Sequence, residues 1–320
     1  MQNDNIVLSI VERVNLMPSW GELLTELQPH VNAEGAGVPG LDNDQLRDKY
    51  LNLLYEKTGR NVIAYYSGWL KPGKTLNIDI NDSDVTGFMN ALKGLDCTKG
   101  LDLILHTPGG SPTAAEGIVK YLHNKFQGDI RVIVPQMAMS AGTMLACEAK
   151  TIVMGKQSCL GPIDPQYGGI PAYNIITEFR EAKADIENNP KSKEYWKLQL
   201  DKYPAAFFYS VADAISLSSA LVSDWLTTYM FAGQERAEVK KKVTKILNKL
   251  NANNKSHSRH FTVEFCKSLG LNVEMLEEDQ ELQDLVLSIH HAFIITFDTS
   301  NATKIIENHL GARFVTHQSK

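Results

Sequence analysis

This sequence predicts an α/β domain built on a parallel sheet with crossover helices. Three short apolar runs carry that prediction, at residues 101–106, 130–135 and 151–154, with stretches of helical spacing between them. A chain that alternates strand, turn and helix builds a parallel sheet, because parallel neighbours require a crossover connection. Gly109-Gly110 and Ser140 follow the first two runs, at the carboxyl ends of strands, where such sheets place reactive groups.

In chain order, Gly35-Ala36-Gly37-Val38-Pro39-Gly40 reads as a flexible connection. Residues 43–57 follow as a helix, with Leu46, Tyr50, Leu53 and Leu54 at helical spacing. Residues 61–66 are β-branched and aromatic and predict a strand, and residues 84–95 a short helix. The run Leu101-Asp102-Leu103-Ile104-Leu105-His106 stops at Thr107-Pro108-Gly109-Gly110, and residues 111–126 place Ala115, Ile118, Val119 and Leu122 on one helical stripe. The strand at 130–135 leads to Met139-Ser140-Ala141-Gly142, and a helix at 143–148 precedes the strand at 151–154. Helical patterns dominate residues 175–250: a charged stretch, then an apolar and aromatic one, then one rich in lysine. Lys240-Lys241-Lys242 reads as a solvated face. A loop is expected at 251–256, and Leu282, Leu285, Val286 and Ile289 predict a compact helical ending. The expected organisation is an N-terminal segment at 1–58, a core at 59–174, a helical insertion at 175–255, and the rest of the core with terminal helices at 256–320.

Composition narrows the function classes. The 320 residues carry 32 basic and 37 acidic side chains, a formal charge of −5, which gives no argument for nucleic acid or anionic membrane as a partner. Hydrophobic residues at 43% and charged residues at 22% suit a soluble globular protein. Cys97, Cys147, Cys159 and Cys266 form no CxxC pair and read as reduced thiols. No signal peptide is expected from Met1-Gln2-Asn3-Asp4, and Asp213 and several serines interrupt the most apolar stretch, residues 204–223. A buried or subunit-packing helix is expected there, a cytoplasmic location for the chain, and no membrane association.

A serine hydroxyl is a weak nucleophile until a base and an oxyanion site stand beside it. A glycine pair after a strand lets backbone N–H groups approach a developing oxyanion with no Cβ in the way. Taken alone, the Thr107–Gly110 segment suits an ordinary turn and Ser140 a helix N-cap. Together, separated by one crossover helix, they point to a site in which Ser140 is the nucleophile and the N–H groups of Gly110 and Ala141 share the oxyanion.

Three segments then resemble a known family. Leu103-Ile104-Leu105-His106-Thr107-Pro108-Gly109-Gly110, Ala138-Met139-Ser140-Ala141-Gly142-Thr143 and Leu160-Gly161-Pro162-Ile163-Asp164-Pro165-Gln166 are similar to the serine dehydrogenase proteinase family, which belongs with Clp proteolytic subunits, signal peptide peptidases and crotonases. The resemblance covers about residues 60–273. It implies the Clp/crotonase-type spiral ββα core, Ser140 as nucleophile, and an oxyanion hole from Gly109, Gly110 and Ala141. The chain departs from the Clp pattern at the base: Asp164 stands where Clp subunits carry the catalytic histidine, and Ser256-His257-Ser258-Arg259-His260 precedes the segment before which they carry the aspartate. The expected arrangement is therefore swapped, with His257 as base and Asp164 orienting it. Triads are defined by geometry and not by chain order. The alternative bases are His260, His106 and, for a Ser–Lys dyad, Lys150, Lys156 and Lys183. Asp164 next to proline also suits a turn, His257 and His260 suit a helical metal pair that lacks a third ligand, and His290-His291 suit a structural role.

The stretch between Asp164 and Ser258 is longer than its Clp counterpart. In related folds this region builds rings or stacks, so the resemblance implies a homo-oligomer, with the face around Phe207, Phe208, Val211, Ile215 and Leu221 as its interface. The leading expectation is a serine peptidase acting on peptides or proteins through an acyl-enzyme, needing neither metal nor organic cofactor. The others are an ester or thioester hydrolase on the same fold and a non-catalytic oligomeric regulatory subunit. The sequence has no G-x-x-x-x-G-K-[ST] motif, so any ATPase that unfolds substrates would be a separate chain.

Overall fold

The computed structural model describes residues 20–31, 37–73, 77–251 and 257–318. Helices α1 (Trp20–Glu26) and α2 (Asn43–Thr58) precede the first long strand, β1 (Asn61–Ser67). Helix α3 (Asp84–Ala91) leads to β2 (Leu101–His106), and α4 (Pro112–Phe126) crosses to β3 (Ile130–Val134). Short strand β4 (Met137–Ala138), helix α5 (Ala141–Cys147), β5 (Thr151–Met154) and β6 (Cys159–Leu160) follow. The insertion contains α6 (Ala172–Asn188), α7 (Lys193–Leu200), α8 (Phe207–Trp225) and α9 (Arg236–Asn251). The chain returns through β7 (Phe261–Thr262), α10 (Val263–Leu269), β8 (Val273–Met275) and α11 (Gln280–Thr299), and ends in the hairpin β9 (Ala302–Asn308) and β10 (Arg313–His317).

Local chemistry sets the principal boundaries. Asp42 and Gln45 form a capping box at the start of α2, and Gly59 stops that helix at φ 66°. Ser111 caps α4 through the Ala114 N–H, and Pro112 takes the first helical position.

The main sheet has seven strands in the order β8-β5-β3-β2-β1-β9-β10. The first five are parallel, and the terminal hairpin adds antiparallel to β1. Helices cover both faces, so the parallel strands are buried on both sides. On one face Ile63, Tyr65, Leu103, Leu105, Val132 and Ile152 meet Phe88 of α3, Ile118 and Leu122 of α4, and Leu145 of α5. On the other, Val62, Tyr66, Ile104 and Ile133 meet Leu46 and Leu54 of α2 and Leu285, Ile289 and Phe293 of α11. A small second sheet, β7-β6-β4, stands beside the first. The expected α/β class, a parallel sheet with crossover helices, is the one observed.

The ending departs from expectation. After α11 the chain forms a seven-residue strand, all buried, and a five-residue partner, where a helical ending was expected. Lys304 and Glu307 interrupt the apolar pattern of β9, yet both are buried against distant partners: Lys304 on Asp84 at 2.7 Å, Glu307 on Arg47 at 2.6 Å. Helix α5 also begins earlier than the spacing predicted, directly after Ser140. The expected leader region at residues 1–4, the start of the glycine-rich connection at 35–36, and residues 252–256 of the expected loop lie outside the described residues.

Within the insertion, Phe207, Phe208, Val211 and Ile215 of α8 pack against Ile175, Ile176 and Phe179 of α6, and Leu221 against the main core. The residues expected at a subunit interface therefore have partners inside the chain. Tyr209 and Leu217 are the large apolar side chains that α8 leaves exposed. Among the described residues, no helix is long and apolar enough to cross a membrane.

Candidate active site

Two turns meet at the ends of β2 and β4. The Thr107 N–H donates to Met137 O at 3.1 Å, and the Met139 N–H donates to Thr107 O at 3.0 Å, which brings Gly109-Gly110 beside Ser140. The approach is close enough that a Cβ on Gly109 would stand 2.6 Å from both Met139 O and Ser140 Cβ. Gly109 has φ 104° and Gly110 φ 150°, both in the region that favours glycine. The far side of the glycine turn is held by residue 80: its N–H donates to Gly109 O at 2.7 Å, and its carbonyl accepts from the Ser111 N–H at 2.8 Å.

Ser140 adopts φ 53°, ψ −119°, a sharp turn from β4 into α5 that is uncommon for a residue with a Cβ. It precedes the helix as an N-cap would, but its side chain makes no capping bond, and among the described residues Oγ makes no hydrogen bond. Thr143 fixes the turn from behind. Its hydroxyl donates to Ala138 O at 2.8 Å and accepts from the Gly161 N–H at 2.8 Å. Among the described residues the N–H groups of Gly110 and Ala141 have no protein acceptor.

The second half of the site follows from strand register. Strands β7 and β6 pair antiparallel, Phe261 opposite Leu160 and Thr262 opposite Cys159. Continuing that register four residues outward sets position 257 opposite position 164. His257 Nδ1 lies 3.1 Å from Asp164 Oδ1, with side chains 17% and 4% exposed. The Ile163 N–H donates to Leu250 O at 3.0 Å, tying the end of α9 to the segment that carries Asp164. Ser140, His257 and Gly110 line one cleft of about 340 Å³ together with Asp79, Met144 and Ile163.

The alternative bases lie elsewhere. Alternation along β2 puts His106 on the opposite face from Leu105, its ring tilted against Tyr66 and Trp69 and edge-on to His290. It is fully buried, neither ring nitrogen has a hydrogen-bond partner among the described residues, and burial alone holds it down to about 4. His260 is exposed. Lys150 is exposed beside Asp129 at 3.8 Å, Lys183 beside Glu187 at 3.9 Å, and Lys156 is exposed on a turn whose N–H donates to Glu277. None of these five lines the cleft. His290 and His291 line a different cavity, against Trp20 and Phe297. His257 and His260 do not share a helix, and among the described residues no three potential ligands are gathered as a metal site.

Burial pushes the cysteine thiols up, Cys159 to about 11 and Cys266 to about 12, so they stay protonated and inert near neutral pH. The sequence reading missed Asp79, Met144 and Ile163 as cleft residues. The signal available for Asp79 was its place in the Ile78-Asp79-Ile80 segment ahead of α3, which carries no motif. Tyr173, at the start of α6, stands near Asp164, and burial and then the Asp164 charge push its phenol up.

Residues 74–191 match the family model of ClpP-like SDH-type serine proteinases. The match spans the glycine pair, Ser140 and Asp164, and stops short of His257. Two uncharacterized proteins of Methanocaldococcus jannaschii are similar to this chain. One is 34% identical over 197 residues, 62% of this chain and 60% of its own length. The other is 42% identical over 79 residues, 25% of this chain and 27% of its own. The chain thus spans less than two thirds of either relative. Among solved structures, a ClpP1 point mutant from Listeria monocytogenes is matched over 72% of this chain and 99% of its own, with 13% identity and a TM-score of 0.35.

Proposed function

We propose that this chain is a serine peptidase in which Ser140 attacks, His257 is the general base, Asp164 orients it, and the Gly110 and Ala141 N–H groups hold the oxyanion. The observation that carries the reading is the Asp164–His257 contact in the cleft that Ser140 lines. With Asp164 accepting at Nδ1, the other ring nitrogen, Nε2, keeps the lone pair that a base needs.

His257 takes the Ser140 hydroxyl proton as Oγ bonds to the scissile carbonyl carbon, and the carbonyl electron pair moves onto oxygen. Collapse breaks the C–N bond, and the proton on His257 passes to the leaving amine. Water, deprotonated by the same imidazole, then adds to the acyl-enzyme and displaces Ser140, which recovers its proton. The two N–H groups are pre-oriented by the bridge at residue 80 and by the Thr143 hydroxyl, so stabilising the oxyanion requires little rearrangement. The reading extends to assembly as a homo-oligomer through the helical insertion, whose α8 exposes Tyr209 and Leu217.

Turnover of a quenched-peptide library, set against a matched panel of esters and thioesters, tests the substrate class. Peptide cleavage that Ser140→Ala abolishes supports the reading. Turnover confined to the esters replaces it with an ester or thioester hydrolase on the same fold.

A further inference from the structure

We propose that Asp79 selects substrates carrying a positive charge on a residue flanking the scissile bond. The inference rests on the peptidase reading above and adds to it a preference between substrates. Asp79 lines the cleft with Ser140 and His257. Its neighbour Ile80 is bound on both sides to the glycine turn, through Gly109 O at 2.7 Å and the Ser111 N–H at 2.8 Å. The backbone at position 79 is therefore fixed relative to the oxyanion donors.

Among the described residues, no cation pairs with the charge on this side of the cleft. Among the described residues the Asp79 carboxylate has no hydrogen-bond or ion-pair partner, and the residue is exposed. The Lys304 ammonium is buried on the Asp79 main-chain carbonyl at 2.7 Å and the Asp84 carboxylate at 2.7 Å. Its charge offsets Asp84, which is also buried. Among the described residues no lysine or arginine lines the cleft, and its histidine, His257, is held by Asp164. Met144 and Ile163 offer apolar surface on which the aliphatic stem of a lysine or arginine can lie while its head reaches a carboxylate. An unpaired charge at a binding site sets preference between substrates more than it sets affinity.

Three sets of quenched peptides test the inference, matched except for lysine, norleucine or glutamate at either residue flanking the cleaved bond. Each is made with a free and with an acetylated amino terminus, so that a side-chain cation is told from a terminal one. The expected result is a preference for lysine over norleucine of about fivefold in kcat/KM at low salt, the scale of a partly exposed ion pair. It falls toward unity at molar salt. In Asp79→Asn the ratio collapses to about one, in Asp79→Glu it persists, and in Asp79→Lys glutamate becomes the preferred residue. Equal rates in the wild type, or a lysine preference that survives in Asp79→Asn, would overturn the role of Asp79 alone. Reaction of Ser140 with a fluorophosphonate but cleavage of no peptide overturns the peptidase reading, and the inference with it.

Discussion

His257 Nδ1 stands 3.1 Å from Asp164 Oδ1 because an antiparallel strand pair, Phe261 opposite Leu160, runs outward until the two side chains face each other. Neither residue is on the element that carries Ser140. The cleft is assembled from separate places in the chain: the segment at Asp79, the glycine turn after β2, the serine turn after β4, and the two arms that leave β6 and β7. An aspartate and a histidine placed this way depend on each other, and each can be replaced without touching Ser140.

Asp164→Asn keeps the shape of the site but lets the amide donate to His257, which favours the tautomer that cannot accept the serine proton. We expect kcat/KM to fall about 10⁴-fold with little change in fold, read from peptide or ester turnover and circular dichroism. Full activity in Asp164→Asn would place the orienting group elsewhere.

Gly110→Ala tests the oxyanion turn. A Cβ at position 110 would lie 2.4 Å from both the N and the O of Ile80, which are backbone atoms that cannot swing aside, at a φ of 150°. The turn must open, and we expect a loss of about 2 kcal/mol or more in stability together with loss of serine reactivity. Denaturant unfolding and labelling of Ser140 measure the two effects. A substitution at Gly59, where a Cβ would meet nothing within 4 Å, bears only on the cap of α2 and should leave serine reactivity in place.

Lys304→Met tests the terminal hairpin. It leaves the Asp84 carboxylate, which also accepts from Tyr65 Oη at 2.8 Å, buried without its cation. Breaking one side of a buried pair costs about 3–5 kcal/mol, and we expect a matching drop in the denaturant midpoint. Replacing both Lys304 and Asp84 by apolar residues should recover part of that loss.

Burial holds His106 at about 4, below the 6.5 of a free imidazole. The unfolded chain takes up this proton as pH falls through 6.5, and the folded protein only near 4. The unfolded state therefore binds more protons in that window, and stability declines as pH falls across it, by about 3 kcal/mol for a shift of this size. His290 and His291 shift in the same direction. Thermal unfolding between pH 4 and 7 should show the decline, and His106→Leu should flatten it.

The sheet was legible because its strands obey simple patterns. The parallel strands are continuous apolar runs, and the helices between them keep a helical stripe, so the strand and helix cores fell where spacing placed them. The terminal hairpin was not legible. Lys304 and Glu307 break the run in β9, and the charges that neutralise them, Asp84 and Arg47, lie far away in sequence. His106 could have been placed by alternation alone, since it shares the face of Ile104 and not of Leu105. The turn that carries Ser140 was legible from its small residues and its place after a strand. The His257–Asp164 pairing came from resemblance to a family and a swapped order. Its physical cause, the register of two two-residue strands, is too short a pattern to read in sequence. Asp79 carried no motif, only its place ahead of α3, because its setting depends on residues distant in sequence.

The most direct test is fluorophosphonate labelling of the wild type, Ser140→Ala and His257→Ala, read by intact mass. The account predicts a single adduct on the wild type, none on Ser140→Ala, and labelling of His257→Ala slowed by orders of magnitude. An unlabelled wild type, or an adduct that persists in Ser140→Ala, would contradict it.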